Sequence, residues 1–288
     1  MIFVEPMLAK PLSKLPEGSN RQYEIKWDGY RALAIKDKGE ARLLSRRNDV
    51  MNDKFVAIAE ALLELEDGLI VDGEIVALDA QGRPSFNLLQ HHKANAHVIV
   101  YYLFDIVAFR GRDVRQIPLQ QRGALLDEVF QNASEPLRLS AALNAAANDL
   151  ITAVKSQGLE GIVAKRVDSR YESGDRSGAW VKFRVNKGQE LVIGGYRIGK
   201  NDFDNLAVGY YDDRGKTQIF ERLRALESNV CPFDNLPEPK AARRGEALTA
   251  EAMKNYQWVK PNLVAEVEFT DWTAADHLRH SSFCGYSR

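Results

Sequence analysis

YEIKWDGYRA, residues 23–32, decides how the first half of the chain reads. Tyr23, Ile25 and Trp27 alternate with Glu24, Lys26 and Asp28. A period of two puts one apolar and one charged row on opposite faces of a strand. Asp28-Gly29 is a hairpin turn signal. Tyr30, Ala32 and Ala34 then alternate with Arg31, Leu33 and Ile35 on an expected return strand. The stretch therefore predicts a hairpin with Glu24, Lys26 and Asp28 on one face near the turn. On these residues alone, a solvated strand face reads the same way.

Working outward, strands are expected at 22–28, 30–36, 41–45, 69–78, 98–107, 160–165 and 179–185. Residues 52–66, 118–131 and 143–158 carry apolar residues at helical spacing, with Pro118 in a first-turn position. The first 20 residues hold Pro6, Pro11 and Pro16 and read as an extended arm. The character changes near Asn186-Lys187-Gly188. LVIGGYRI, LAVGYYDD and LVAEVEFT are short strands, with a helix expected at 220–229, and together they suggest a small barrel. The expectation is two domains, 1–187 and 191–288, joined by a linker at about 186–190.

Composition excludes some partners and favours none. The net charge of the 288 residues is −1, and neither half is basic, so a nucleic-acid surface must come from arrangement. The two cysteines, Cys231 and Cys284, form no zinc or disulfide pattern and fit a reducing cytosol. The N-terminus lacks the shape of a signal peptide. The most apolar window, 98–109, contains Asp105 and is too short to span a bilayer, so no membrane association is expected. His91, His92 and His97 have no helical metal-binding spacing.

Polar residues on otherwise apolar strands carry the chemistry: Lys26, Glu74, Glu160, Lys182 and Arg184. In WVKFR, Trp180, Lys182 and Arg184 share a face. Two cations so placed repel unless an anion such as phosphate lies between them. Glu74 and Glu160 come from different strands and, if they converge, call for a divalent cation. The set suits a nucleoside triphosphate with its metal, attacked by a lysine. Deprotonating a free lysine at neutral pH costs about 4–5 kcal/mol. Lys26 therefore needs Arg31, Lys182, Arg184 or a metal close by.

These residues resemble a known family. KWDGYR (26–31) resembles the signature of the covalent nucleotidyltransferases, which include ATP-dependent DNA ligases, RNA ligases and messenger-RNA capping enzymes. LLSRRND (43–49), VDGEIVALD (71–79), YLFDIV (102–107), LEGIVAKR (159–166) and WVKFR (180–184) follow in the family's order. EPMLAKP, IKWDGYRAL, VIGGY and LVAEVEFTDWTAADHLRHSSF are similar to the ligase module of bacterial non-homologous end-joining ligases.

The resemblance implies an α+β chain: an adenylation domain of antiparallel sheets with flanking helices, followed by an all-β OB-fold barrel. It implies that Lys26 attacks the α-phosphorus of ATP. Glu24 and Phe104 would lie at the adenine, and Arg31 and Arg46 at ribose and phosphate groups or the 5′-phosphate of a nick. Glu74 would meet the ribose or support a metal, Glu160 would hold Mg²⁺ or Mn²⁺, and Lys182 and Arg184 would neutralise phosphate. Alternation places Lys165 on the face opposite Glu160, so it is the weakest candidate. The implied function is sealing of nicked or broken duplex DNA in repair, by a cytoplasmic, nucleoid-associated monomer, with a Ku-like end-binding partner. The chain departs from the pattern in three ways. It shows no separate N-terminal DNA-binding domain. Its C-terminal motif stops at Arg288, and the stretch at 215–219 is short. These departures keep an adenylation-impaired nucleic-acid-binding module open as an alternative, beside an RNA ligase or capping-type enzyme.

Overall fold

The computed structural model describes residues 1–90, 98–131, 133–185, 187–198, 203–209, 227–233, 254–269, 271–272, 278–279 and 281–286. The chain forms two compact units, Met1–Val185 and Asn186–Arg288.

In the first unit the order is β1 (Lys10–Pro11), β2 (Arg21–Ile25), β3 (Tyr30–Asp37), β4 (Glu40–Ser45), α1 (Val56–Leu63), β5 (Leu69–Leu78) and α2 (Phe86–Gln90). Then come β6 (Val98–Phe109), β7 (Arg112–Asp113), α3 (Leu119–Phe130), β8 (Leu137–Leu139), β9 (Ala142–Leu143), α4 (Ala147–Ser156), β10 (Gly161–Arg166) and β11 (Trp180–Arg184). Two sheets result, ordered β1-β11-β10-β2-β9 and β4-β3-β5-β6-β7, with β8 on β6. Pairing is antiparallel except for β1 with β11 and β8 with β6.

Strand alternation sorts the core into layers. Ala32, Ala34, Val71 and Leu103 face Ile58 and Leu62 of α1 and Leu126 and Phe130 of α3. The opposite row, with Leu33, Ile35 and Ile70, meets Trp180 of the other sheet together with Met7 and Tyr171. Behind that sheet, Tyr23, Ile162, Ala164 and Val181 pack on Leu150 and Val154 of α4. The layers run helices, sheet, sheet, helix, and the charged candidates lie on the two inner faces.

The expected hairpin at Asp28-Gly29 does not form. β2 pairs with β10 and β9, whereas β3 pairs with β4 and β5. Alternation specifies a strand and its faces but not its partner, and residues 26–29 cross from one sheet to the other. Each end of the crossing is claimed by a different sheet. The Lys26 amide donates to Gly161 O at 2.9 Å. At Gly29 a Cβ would stand 2.0 Å from Ile75 O, so this backbone lies against β5 and only glycine fits.

The helix expected from 52 begins as a 3₁₀ turn, Asn52–Lys54, before α1. The helix expected from 143 starts at Ala147, because Leu143 is drawn into β9 opposite Tyr23. The proline-bearing arm is laid along β11 and the segment that precedes it. Met7 is fully buried and its amide donates to Tyr171 Oη at 3.1 Å. Leu8 N donates to Asp175 O at 2.8 Å and Leu12 N to Lys182 O at 3.0 Å.

The second unit is all-β among its described residues. β12 (Lys187–Ile198) pairs with β13 (Phe203–Gly209) and with the long β15 (Tyr256–Phe269). β14 (Glu227–Ser228) and β18 (Ser282–Tyr286) also pair with β15, and β16 (Asp271–Trp272) pairs with β17 (Leu278–Arg279). Its core holds Leu191, Ile193, Tyr196, Val259, Ala265 and Val267. Residues 187–190, expected as linker, open β12. Of the helix expected at 220–229, Glu227–Ser228 is strand and 220–226 lie outside the described residues, as do 215–219 and Arg288. Among the described residues no helix is long and apolar enough to cross a membrane.

Candidate active site

Lys26 stands at the start of the crossing segment, between the sheets. Its Nζ donates to Glu160 Oε2, and Arg184 Nε donates to Glu160 Oε1 at 3.1 Å. Glu160 is 5% exposed, so one buried carboxylate serves two cations. A third cation is close. Lys182 titrates below the usual lysine range, through burial first and then through Lys26, Arg184 and Arg176. The cationic charge exceeds the acid that Glu160 offers, which suits a bound phosphate. Gly161 makes room for this arrangement. A Cβ there would sit 2.1 Å from Phe183 O, so β10 and β11 close tightly just where Glu160 enters.

Glu74 projects from β5 toward the same place. Burial pushes its carboxyl up to about 8, with Glu160 and Asp72 adding to the rise and Arg31 and Lys26 opposing it. Glu74 and Glu160 are thus electrostatic neighbours. Two carboxylates fit a Mg²⁺ or Mn²⁺ ion, which binds proteins through one or two acids and takes its other oxygens from water and phosphate.

Deeper in, Lys165 Nζ donates to the Glu24 carboxylate at 2.8 Å and to Phe104 O at 3.0 Å. Both side chains are buried, at 2% and 3% exposure. Burial raises the Glu24 pKa, against the pull of Lys165. The ammonium also lies 4.6 Å from the Phe104 ring centre and 4.4 Å from that of Trp180. Phe104 is the extra residue of a β-bulge: Asp72 faces Asp105, but Gly73 faces Leu103. Bulges turn a side chain out of the ladder, and this one places Phe104 in edge contact with Trp180, centroids 6.2 Å apart. Arg31 is held by Asp72 through two bonds of 2.9 and 2.6 Å, and Tyr171 donates to the same carboxylate at 2.6 Å. The Arg31 guanidinium sits 5.1 Å over Phe104.

The structure therefore brings together Glu24, Lys26, Arg31, Glu74, Phe104, Glu160, Lys182 and Arg184. Arg46 is exposed in the turn after β4 and makes none of the contacts that tie this cluster together. Lys165 belongs inside it, contrary to the alternation argument. Glu160 precedes β10 and does not share its pleat, so counting faces from Glu160 misplaces Lys165. Val163 pairs with both Glu24 and Lys182, and that pleat carries Lys165 to the inner face. Sequence reasoning also missed Tyr171, Trp180 and the Asp105–Arg122 pair, which is fully buried with bonds of 2.7 and 2.9 Å. An acid inside the apolar run YYLFDIV was the available signal for the last of these.

The ATP dependent DNA ligase domain matches residues 6–184, and the ATP dependent DNA ligase C terminal region matches 186–287. The multifunctional non-homologous end joining protein LigD of Pseudomonas aeruginosa is 32% identical over 98% of this chain, which spans only 35% of that protein's length. DNA ligase C2 of Mycolicibacterium smegmatis is 30% identical, over 97% of this chain and 88% of its own. A solved mycobacterial DNA ligase D complexed with ATP and MES superposes with a TM-score of 0.59 at 32% identity, covering 99% of this chain and 95% of that one. The fold is accordingly a nucleotidyltransferase domain followed by an OB-fold domain. On these matches, and with a lysine set among cations and carboxylates between two sheets, the chain belongs to the ATP-dependent DNA ligase family.

Proposed function

We propose that the chain seals nicked or broken duplex DNA with ATP, through a lysyl–AMP intermediate on Lys26. The observation that carries this reading is the Lys26–Glu160–Arg184 cluster with Lys182 beside it. The Lys26 amine forms a P–N bond to the α-phosphorus as the P–O bond to pyrophosphate breaks, and the lysine proton leaves to solvent. Lys182 and Arg184 neutralise the charge that develops on the phosphate. AMP then passes to the 5′-phosphate of the nick, and the 3′-hydroxyl displaces AMP to join the strand. Glu24, Lys165 and Phe104 would meet the base, with Phe104 offering a stacking face. Arg31 would meet the ribose and Arg46 the DNA phosphate. Glu160, with Glu74, would hold Mg²⁺ or Mn²⁺, which supplies further charge neutralisation when bound.

Relatives named for end joining support a role in joining broken DNA; we further propose that this takes place in the bacterial cytoplasm, at the nucleoid, with a Ku-like protein bringing the ends together. The family match does not favour the RNA-ligase or capping alternatives, nor an inactive binding module. The test is incubation with ATP labelled at the α-phosphate, then addition of nicked duplex. Covalent label on the wild type, none on Lys26→Ala, and transfer of that label to DNA are expected. Equal labelling of both proteins would overturn the assignment of Lys26.

A further inference from the structure

Among the contacts that hold residues 26–29 in the gap between the sheets are the Lys26 amide on Gly161 O and the Gly29 backbone against Ile75 O. Another is made by Trp27. Its ring lies face to face on Tyr102, with centroids 3.7 Å apart and planes 8° from parallel. Its Nε1 donates to Ser140 Oγ at 3.0 Å.

The platform under Trp27 is itself fixed. Tyr102 is buried in β6 with Val76, Leu78 and Val100, and it stands opposite Glu74 in the strand register. Its hydroxyl accepts from Arg138 Nη1 at 3.2 Å, and Arg138 is tied in turn to Glu135 at 2.7 Å. Consecutive side chains leave a backbone in different directions. Docking Trp27 on β6 thus fixes the rotation of the chain at Lys26, and with it the direction in which the Lys26 Cα–Cβ bond leaves the backbone. A lysine has four rotatable bonds, and holding its backbone leaves fewer ways to miss a target.

We propose that Trp27 is the positioning residue for the lysine nucleophile: docked on Tyr102 and Ser140, it aims Lys26 Nζ at Glu160 and Arg184, where the α-phosphate would lie. This rests on reading Lys26 as the adenylated residue. If Trp27 only sealed the small apolar cluster of Val76, Leu78 and Val100, any large apolar residue would serve, and its loss would cost stability without touching the geometry of attack.

Single-turnover adenylation of the full chain, followed across ATP concentrations, separates these roles in wild type, Trp27→Leu, Trp27→Phe and Ser140→Ala. Leucine keeps the apolar burial and loses the flat ring; phenylalanine keeps a ring and loses the N–H. The maximal rate should fall about ten- to a hundredfold in Trp27→Leu. The half-saturating ATP concentration should stay within about twofold, and Trp27→Phe should recover most of the rate. Ser140→Ala, which removes one hydrogen bond, should slow the step about two- to fivefold at an unchanged Tm, and this holds as a test if Trp27→Leu fails to fold. A wild-type rate in Trp27→Leu would overturn the proposal. So would a loss confined to ATP half-saturation, or a Trp27→Phe variant as slow as Trp27→Leu despite a restored Tm. Absence of label on the wild type would overturn the Lys26 reading itself; label on the wild type with unaffected variants would overturn the positioning role alone.

Discussion

At Glu74, environment reverses what the residue type would give. Its carboxyl has an ordinary value of 4.5 and is pushed up to about 8, chiefly by burial. Between those values the folded protein holds a proton that the unfolded chain has released. The contribution to stability is therefore fully present below about 4.5 and is lost as pH rises through about 8. Glu74→Gln cannot ionise and should escape that loss. In a chelating buffer, the Tm of the wild type should fall relative to Glu74→Gln between pH 5 and pH 9, with the gap widening upward. Parallel Tm curves would mean the carboxyl is ordinary. Two other acids, Asp72 and Asp105, are fully buried. Their arginine partners, Arg31 and Arg122, stand 41 and 17 residues away, and nothing local announces a pairing made by tertiary contact.

Among the elements, strand existence was legible and strand partnership was not. Leu69–Leu78 appears as expected, buried along nearly its whole length, because strand formation depends only on near neighbours. The hairpin at Asp28-Gly29 failed because a tight turn signal says nothing about which sheet each strand joins. Lys165 was misjudged for a related reason, since a pleat must be counted within one strand and Glu160 lies just outside β10. Gly161 marks that break. Gly161→Ala would drive a methyl into Phe183 O and separate the start of β10 from the end of β11. We expect a loss of about 1–3 kcal/mol in chemical denaturation, with Lys26 labelling reduced at least about tenfold because Glu160 moves with the strand. Retention of both would show that the close approach relaxes without cost.

For the whole molecule, a net charge of −1 leaves DNA affinity to local arrangement, as composition indicated. Binding of nicked duplex should weaken with salt, and each phosphate contact should contribute about 0.9 to the slope of log K against log salt. Lys182→Ala should reduce that slope by about one unit; an unchanged slope would remove Lys182 from the phosphate contacts. The chain divides into two compact units near residue 186, where the strand pattern of the sequence changes, and residues 187–190 of the expected linker are strand.

The site is also a matter of timing. Glu24 meets Lys165 across 141 positions, Lys26 meets Glu160 across 134, and the buried arm at Met7 waits for Tyr171, 164 positions on. A nascent chain lacking β10 and β11 already holds the sequence of strands β3 to β6 and of α1 and α3, but lacks the central strands of the second wall. Long-range closures of this kind come late and slowly. A partly built scaffold thus leaves the ribosome before the second wall is made, and Lys26, which comes early in synthesis, acquires its surroundings near the end of its domain's birth.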